Sequence, residues 1–285
     1  MSAASHVDRA TGIEERLELV PTPRGLLYTW IARPPGARSC VLVCSSLLGD
    51  FTANYHRERE LGRALSSMGH GAIRFHYAGE GNSQGERRDM TFATLCADAL
   101  AVMAHGRSLG FTEFALLGTR LGALVAAATV AQSRSAPIAL WEPTADLRRF
   151  ITEAQRAQGM SQLAQEQVDT ATDWRQELEQ TGMLDLLGYD IYSPLVESLL
   201  GLDLLEIIGS QARPVFIGRF RRKSYANDSL ARAMVDRGFD VQHGNFEMSE
   251  AWWFHNEHLS EDGQLINATA TWLADSFSAP PRNGG

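Results

Sequence analysis

The chain has 285 residues, against a prior of ~150 per domain, so it fits one large domain or one core carrying an insertion. With 44% hydrophobic and 21% charged residues, it is neither a disordered nor a collagen-like chain. A net charge of -8, from 26 basic and 34 acidic residues, argues against a general nucleic-acid or anionic-membrane binder. Three cysteines, Cys40, Cys44 and Cys96, are an odd number in a long chain and argue against a disulfide framework. The first eight residues lack an apolar stretch behind a basic flank, and the longest apolar run, 121–130, is too short to span a bilayer. The expectation is a soluble cytoplasmic protein with no membrane span and no cofactor.

In chain order, residues 15–20 alternate as a strand, and 26–31 form a second strand after a Pro-Arg-Gly turn. The Cys-Val-Leu-Val-Cys run at 40–44 has the continuous apolar character of a strand buried on both faces. Residues 55–68 carry helical spacing in Leu61, Leu65 and Met68 and stop at Gly69. A strand at 72–75 leads into a glycine-rich loop, 77–89, and then a helix at 92–109. A strand at 114–117, a small-residue helix at 121–132 and a strand at 137–141 follow. Such alternation predicts crossover helices and a mainly parallel sheet. Residues 148–210 break it with a polar, helical stretch lacking strands of the sheet type. The alternation resumes with a strand at 214–218, a helix at 228–237, a strand at 239–242 and a last helix at 261–277.

Ligands of open α/β sheets bind beyond the carboxyl ends of the strands. The sharpest candidate there is Leu117-Gly118-Thr119-Arg120-Leu121-Gly122-Ala123, between a strand and a small-residue helix. Glycines flanking a central residue permit the tight strand-to-helix turn of a nucleophile elbow, whose hydrolytic form is Gly-x-Ser-x-Gly. Here the central residue is Arg120.

With these residues the chain resembles the α/β-hydrolase superfamily. Arg74-Phe75-His76-Tyr77-Ala78-Gly79-Glu80-Gly81-Asn82-Ser83 is similar to its Arg-Phe-Asp-x-x-Gly-x-Gly-x-Ser loop. The elbow follows at the expected distance, and the helical insertion falls where the superfamily carries its cap. Within it, the chain resembles the exosortase A system-associated hydrolase 2 type, through Leu140-Trp141-Glu142-Pro143, the Arg-centred elbow, Gly188-Tyr189-Asp190 and Ser193-Pro194-Leu195. The resemblance implies a mostly parallel α/β-hydrolase sheet with helices on both faces and a helical cap. Residues 1–147 and 211–285 would form the core and 148–210 the cap.

The departures bear on chemistry. A guanidinium stays protonated and cannot attack a carbonyl. After the 214–218 strand, a hydrolase of this type shows Gly-x-x-Asp, but Gly218-Arg219-Phe220-Arg221 stands there. His76 holds the place of an aspartate. Nucleophile and acid of a Ser-His-Asp triad are therefore both missing from their slots. His255 and His258, in Trp252-Trp253-Phe254-His255-Asn256-Glu257-His258, are the candidates for the third member, and spacing does not choose between them.

Arg120 would lie at a helix N-terminus, where a cation needs a compensating anion. Glu142 could supply it internally, or a ligand carboxylate or phosphate could do so with help from Thr119 and the helix amides. Arg219 to Lys223 would add to an anion-binding rim or remain a solvated loop. Ser45 and Ser46, in the oxyanion-hole region, would serve as displaced nucleophiles or as turn residues bonding backbone amides. His76 reads as a site histidine or a structural one, and Cys44 as an inert core thiol. Trp252 and Trp253 would wall an apolar pocket or pin the histidine loop. Three functions stay open: a non-classical enzyme with a His base and an Arg120 clamp for an anionic acyl or peptide-like substrate, towards which the reading leans; a binding module without turnover; and an esterase or thioesterase with a displaced serine. The expected partner is a small-molecule or peptide ligand with an anionic group, not nucleic acid, and oligomerisation is left open.

Overall fold

The computed structural model describes residues 4–132, 136–144, 147–164, 173–186, 188–211, 213–219, 225–246 and 263–278. Their main feature is a mixed sheet of nine strands. An antiparallel amino-terminal group, β1 (Ala4–Val7), β2 (Glu14–Thr22) and β3 (Gly25–Arg33), joins a parallel group at β5 (Gly71–Phe75). The parallel strands then run β5, β4 (Ser39–Cys44), β6 (Glu113–Thr119), β7 (Ile138–Trp141), β10 (Pro214–Arg219) and β11 (Asp240–Asn245).

The continuous apolar runs divide by parity between the two faces. Cys40, Leu42 and Cys44 of β4 enter one core, with Leu116, Ile138, Leu140, Val215 and Ile217. Val41 and Val43 enter the other, with Leu117, Trp141 and Phe216. Helices α2 (Phe92–Ser108), α3 (Gly122–Val130) and α8 (Tyr225–Asp236) contribute to the first core. Helices α1 (Gly49–Ser67) and α9 (Gly263–Ser278) cover the second. Both faces of the inner parallel strands are thus closed off from water, which is why they carry no polar alternation, whereas the edge strand β11 is largely exposed and polar.

Helix α2 starts at a capping box in which Thr91 Oγ1 accepts from the Thr94 amide and Thr94 Oγ1 accepts from the Thr91 amide. Helix α1 begins at Gly49, earlier than its apolar spacing predicts. Its buried stripe is Asp50, Asn54, Glu58, Leu61 and Leu65, so the first half of that stripe is polar.

Between β7 and β10 the chain forms an insert of α4 (Leu147–Ala164), α5 (Trp174–Thr181), α6 (Ser193–Leu199) and α7 (Leu204–Ile207). It also contains β8 (Met183–Leu186) and β9 (Tyr189–Tyr192), paired as an antiparallel hairpin separate from the main sheet. The insert is mainly helical, as the sequence implies, and adds no strand to the main sheet; its hairpin is a small feature the sequence did not mark. Its strands are only four residues each, too short for alternation to register. Trp174, Leu184, Ile191, Leu195, Leu199 and Leu204 join the same apolar cluster as the α2–α3 face of the sheet. Strand β1 was also unexpected; all four of its residues are exposed, so no buried face marks it in the sequence. No described helix is long and apolar enough to cross a membrane.

Candidate functional site

Parallel register brings the carboxyl ends of the central strands level. Cys44 pairs with Gly118, Thr119 with Trp141, and Trp141 with Gly218. Ser45, Ser46, Thr119, Arg120, Glu142 and Arg219 therefore leave the sheet along one edge.

The elbow is a built turn. Arg120 sits at φ 53°, a left-handed conformation that costs a non-glycine residue of order ~1 kcal/mol. Its amide donates to Trp141 O at 2.9 Å, and its carbonyl accepts from Ala123 N at 3.1 Å and Thr144 N at 3.2 Å. Gly118 is required because a Cβ there would stand 2.5 Å from the Cα of Ala123. At Gly122 a Cβ would collide with the carbonyl oxygens of Cys44 and Ser45. These two glycines let the α3 amino terminus press against the end of β4.

The Arg120 side chain is nearly buried. Its Nε donates to Asp50 Oδ2 at 3.0 Å and its Nη2 to Glu153 Oε2 at 3.4 Å, while the Phe150 ring lies 5.7 Å from Cζ. Asp50 is in the first turn of α1 and Glu153 on α4 of the insert. Asp50 and Glu153 are thus carboxylate partners of the guanidinium that the sequence did not offer beside Glu142. Both were missed because one lies 70 residues upstream and the other 33 downstream, in a helix whose polar face looks like solvent surface. Glu142 itself is buried at φ 40°, with its amide donating to Gly218 O at 2.8 Å.

Ser45 is fully buried, and its hydroxyl donates to Glu58 Oε2 at 2.7 Å. The same oxygen accepts from Arg74 Nε at 2.8 Å, and the Arg74 guanidinium lies over Tyr55 and Phe51. Ser45 is therefore anchored inside a Ser–Glu–Arg network. The neighbouring hydroxyl of Ser46 is equally buried and has no hydrogen-bond partner among the described residues, as is also true of Thr119 Oγ1 and Thr144 Oγ1.

His76, a candidate to bind an anionic ligand or to be structural, is buried, and its Nε2 has no hydrogen-bond partner among the described residues. Burial, helped by the nearby Arg74 charge, lowers its pKa to about 3, so it brings no positive charge near neutral pH. It is ringed by Tyr28, Phe51 and Tyr55. Its Nδ1 accepts from the Asn82 amide at 2.9 Å, which places the proton of the neutral ring on Nε2. Gly81, at φ 53°, lies so close beneath this ring that a Cβ would overlap it.

Leu48, at φ 60°, shapes the loop between β4 and α1. The buried Glu80 carboxylate of the glycine loop lies near its amide and faces Arg87 Nε at 3.4 Å. Burial raises the Glu80 pKa against the opposing pull of Arg87 and that amide. Tyr189 of β9 completes the contact: its ring packs on Gly49 and its hydroxyl lies 3.1 Å from Thr52 Oγ1.

Arg219, at the end of β10, is buried, and its carbonyl accepts from Phe246 N at 2.9 Å. The other members of the expected basic cluster, Arg221, Arg222 and Lys223, lie outside the described residues, as do Trp252, Trp253, Phe254, His255 and His258. Among the described residues, no cluster of three His, Cys, Asp or Glu side chains could hold a metal ion.

No protein-family model matches the chain, and no curated protein matches it by sequence. Solved structures do match its fold, which is that of the α/β-hydrolases. Est1E from Butyrivibrio proteoclasticus superposes with a TM-score of 0.65 at 14% identity, covering 92% of this chain and 99% of that one. Proline iminopeptidase from Mycobacterium smegmatis gives 0.62 at 17% identity, over 93% and 100% of the two chains. The α/β hydrolase domain-containing protein 10 from mouse gives 0.59 at 16% identity, over 92% and 99%.

Proposed function

We propose that this α/β-hydrolase-fold protein recognises a carboxylate-bearing acyl or peptide-like ligand at the Arg120 elbow and does not hydrolyse it through a serine nucleophile. The observation that carries the reading is Arg120 itself, held at φ 53° in the position where the hydrolytic pattern has serine. A permanently protonated guanidinium is no nucleophile but is a bidentate carboxylate receptor. The buried hydroxyls of Ser46, Thr119 and Thr144 add support. A buried polar group without a partner costs about 1–3 kcal/mol, and ligand oxygens would satisfy these three. Ser45 argues against a displaced nucleophile, because it is fully buried and its proton already goes to Glu58.

Two carboxylates already balance Arg120, which favours reversible binding over a site that needs its ligand for stability. Residues 148–210 act as the cap of this site. Should turnover follow binding, His255 or His258 supplies the general base. The subfamily resemblance carried by Trp141-Glu142-Pro143 and the Arg-centred elbow is consistent with a site of this kind.

The test pairs a fluorophosphonate serine probe, mapped by peptide mass spectrometry, with titration calorimetry using hexanoate and methyl hexanoate. The expected result is no adduct on Ser45 or Ser46, and hexanoate binding that exceeds methyl hexanoate binding and is lost in Arg120→Gln. An adduct on Ser46 that disappears in the His255→Ala, His258→Ala double variant overturns the reading in favour of a relocated serine hydrolase. Equal binding of acid and ester overturns the role of Arg120.

A further inference from the structure

We infer that the end of the sheet opposite the elbow carries a docking surface for a short acidic segment of a partner protein. It is formed where Arg33, Arg38 and Arg107 converge on the loop between α2 and β6, residues 109–112. The surface is separate from carboxylate recognition at Arg120 and does not depend on it.

Three elements bring these residues together. Arg33 closes β3, and its Nη2 would stand 3.4 Å from a Cβ on Gly110. Arg38 lies just before β4, with its carbonyl accepting from the amides of Thr112 at 2.8 Å and Glu113 at 3.1 Å. Arg107 belongs to the last turn of α2, and its carbonyl accepts from Gly110 N at 2.9 Å. The carboxyl end of a helix attracts a cation, which accounts for Arg107 but not for the two arginines that come from the sheet. The guanidinium groups of Arg33 and Arg107 lie over the rings of Phe111 and Phe114, at 5.6 and 5.4 Å. A guanidinium resting on a ring has one face covered and keeps its N–H edge for a carboxylate.

Arg38 and Arg107 are exposed and Arg33 is half-buried, and none of the three forms an ion pair among the described residues. Arg24, Arg63, Arg74 and Arg87, by contrast, all do. The nearby carboxylates are engaged elsewhere or stand aside. Asp8, whose turn packs on Pro35 through Gly12, accepts from the amides of Ala10 and Thr11. Glu14, opposite Arg33 in the ladder, lies 3.8 Å from Arg16 Nε, and Glu113 is the cross-strand partner of Ser39, which bonds His70. The occupant follows from charge and shape. A chain of net charge -8 repels an extended polyanion or an anionic bilayer, which meets much of its surface, far more than a short segment that meets one corner. Phe111 and Phe114 are themselves buried, so neither offers a nucleobase a face to stack on. Aspartate and glutamate side chains match the exposed guanidinium edges.

The test is fluorescence anisotropy of rhodamine-labelled octaglutamate with the full chain at low ionic strength. The wild type is compared with the double variant Arg38→Gln, Arg107→Gln and with Arg38→Lys, Arg107→Lys, which keeps the charge. Arg88→Gln, Arg175→Gln removes two exposed arginines elsewhere and controls for net charge. The expected result is binding to the wild type that weakens with added salt and is about tenfold weaker in the double glutamine variant, the order set by two exposed ion pairs. The lysine variant should stay within about threefold of the wild type, and the control should match it. Octaglutamate that fails to bind the wild type, or binds the double glutamine variant equally well, overturns the inference. An equal loss in the control reduces the effect to net charge and overturns it too, as does a loss in the lysine variant as complete as in the glutamine one. Phosphatidylglycerol vesicles or oligothymidylate that bind more tightly than octaglutamate, through the same two arginines, overturn the acidic segment in favour of a membrane or a nucleic acid. Hexanoate binding should be the same in all four proteins, so Arg120 is judged separately.

Discussion

Glu58 and Arg74 form a 2.8 Å ion pair from which water is almost wholly excluded, their side chains being 0% and 3% exposed. The pair ties α1 to β5 beneath the functional edge and holds Ser45 through the same carboxylate oxygen. Removing one charge strands the other in a site of low polarity. Glu58→Gln, which keeps an acceptor for Ser45, is expected to cost about 3–5 kcal/mol in urea unfolding at pH 7. The double variant Glu58→Leu, Arg74→Met should lose much less than the single one, since it leaves no uncompensated charge.

At the elbow, backbone meets backbone, so there is no flexible side chain to yield. Gly122→Ala drives a methyl group into the carbonyls of Cys44 and Ser45. A loss of about 2 kcal/mol or more is expected, together with loss of hexanoate binding, because the α3 amino terminus must back away and carry Arg120 with it. Gly263→Ala, where no described residue lies near the added methyl, is the comparison and should fall within ~0.5 kcal/mol of the wild type.

Acid should act through His76. Its folded-state pKa, about 3, lies below the ordinary 6.5, so as the pH falls through 6.5 the unfolded chain takes up a proton that the folded chain refuses. Stability is therefore full above that point and declines progressively towards pH 3. His76→Asn keeps an acceptor for the Asn82 amide and does not titrate. The drop in denaturation midpoint between pH 7 and pH 5 should be smaller in this variant. An identical drop in both proteins would remove His76 from the acid response.

The three thiols should be slow. Burial raises the pKa of Cys40 and Cys44 well above the ordinary range and that of Cys96 to about 11. At pH 8 the folded protein should show no rapidly reacting thiol towards a disulfide reagent, whereas three equivalents should react in denaturant. One fast equivalent in the folded protein would contradict the burial described for Cys96.

The parallel strands and their order along the chain were legible because burial on both faces leaves a compact apolar run, as at Cys40 to Cys44. The elbow was legible for a related reason: Gly118 and Gly122 stand where a side chain cannot. The amino-terminal half of α1 was not, because Asp50, Asn54 and Glu58 form its buried stripe, and polar residues at helical spacing look like a solvated face. The same blindness hid the partners of Arg120. Pairing across 70 residues leaves no local pattern, and Glu153 differs in nothing but position from the other acidic residues of the insert. Glu142 was legible as a candidate because it follows the adjoining strand, and its backbone, at φ 40°, is tied to Gly218.

Tyr189 packs on Gly49 and reaches Thr52, while Arg120 grips Asp50, so core and insert both hold the same opening turn of α1. That helix has 19 residues, a rod of ~28 Å. At its far end the chain turns through His70, whose ring stacks on Phe277 of α9. The Glu58–Arg74 pair also pins the helix midway to β5, so the rod neither bends nor tilts freely and keeps the supports of the elbow in fixed register with the far side of the sheet.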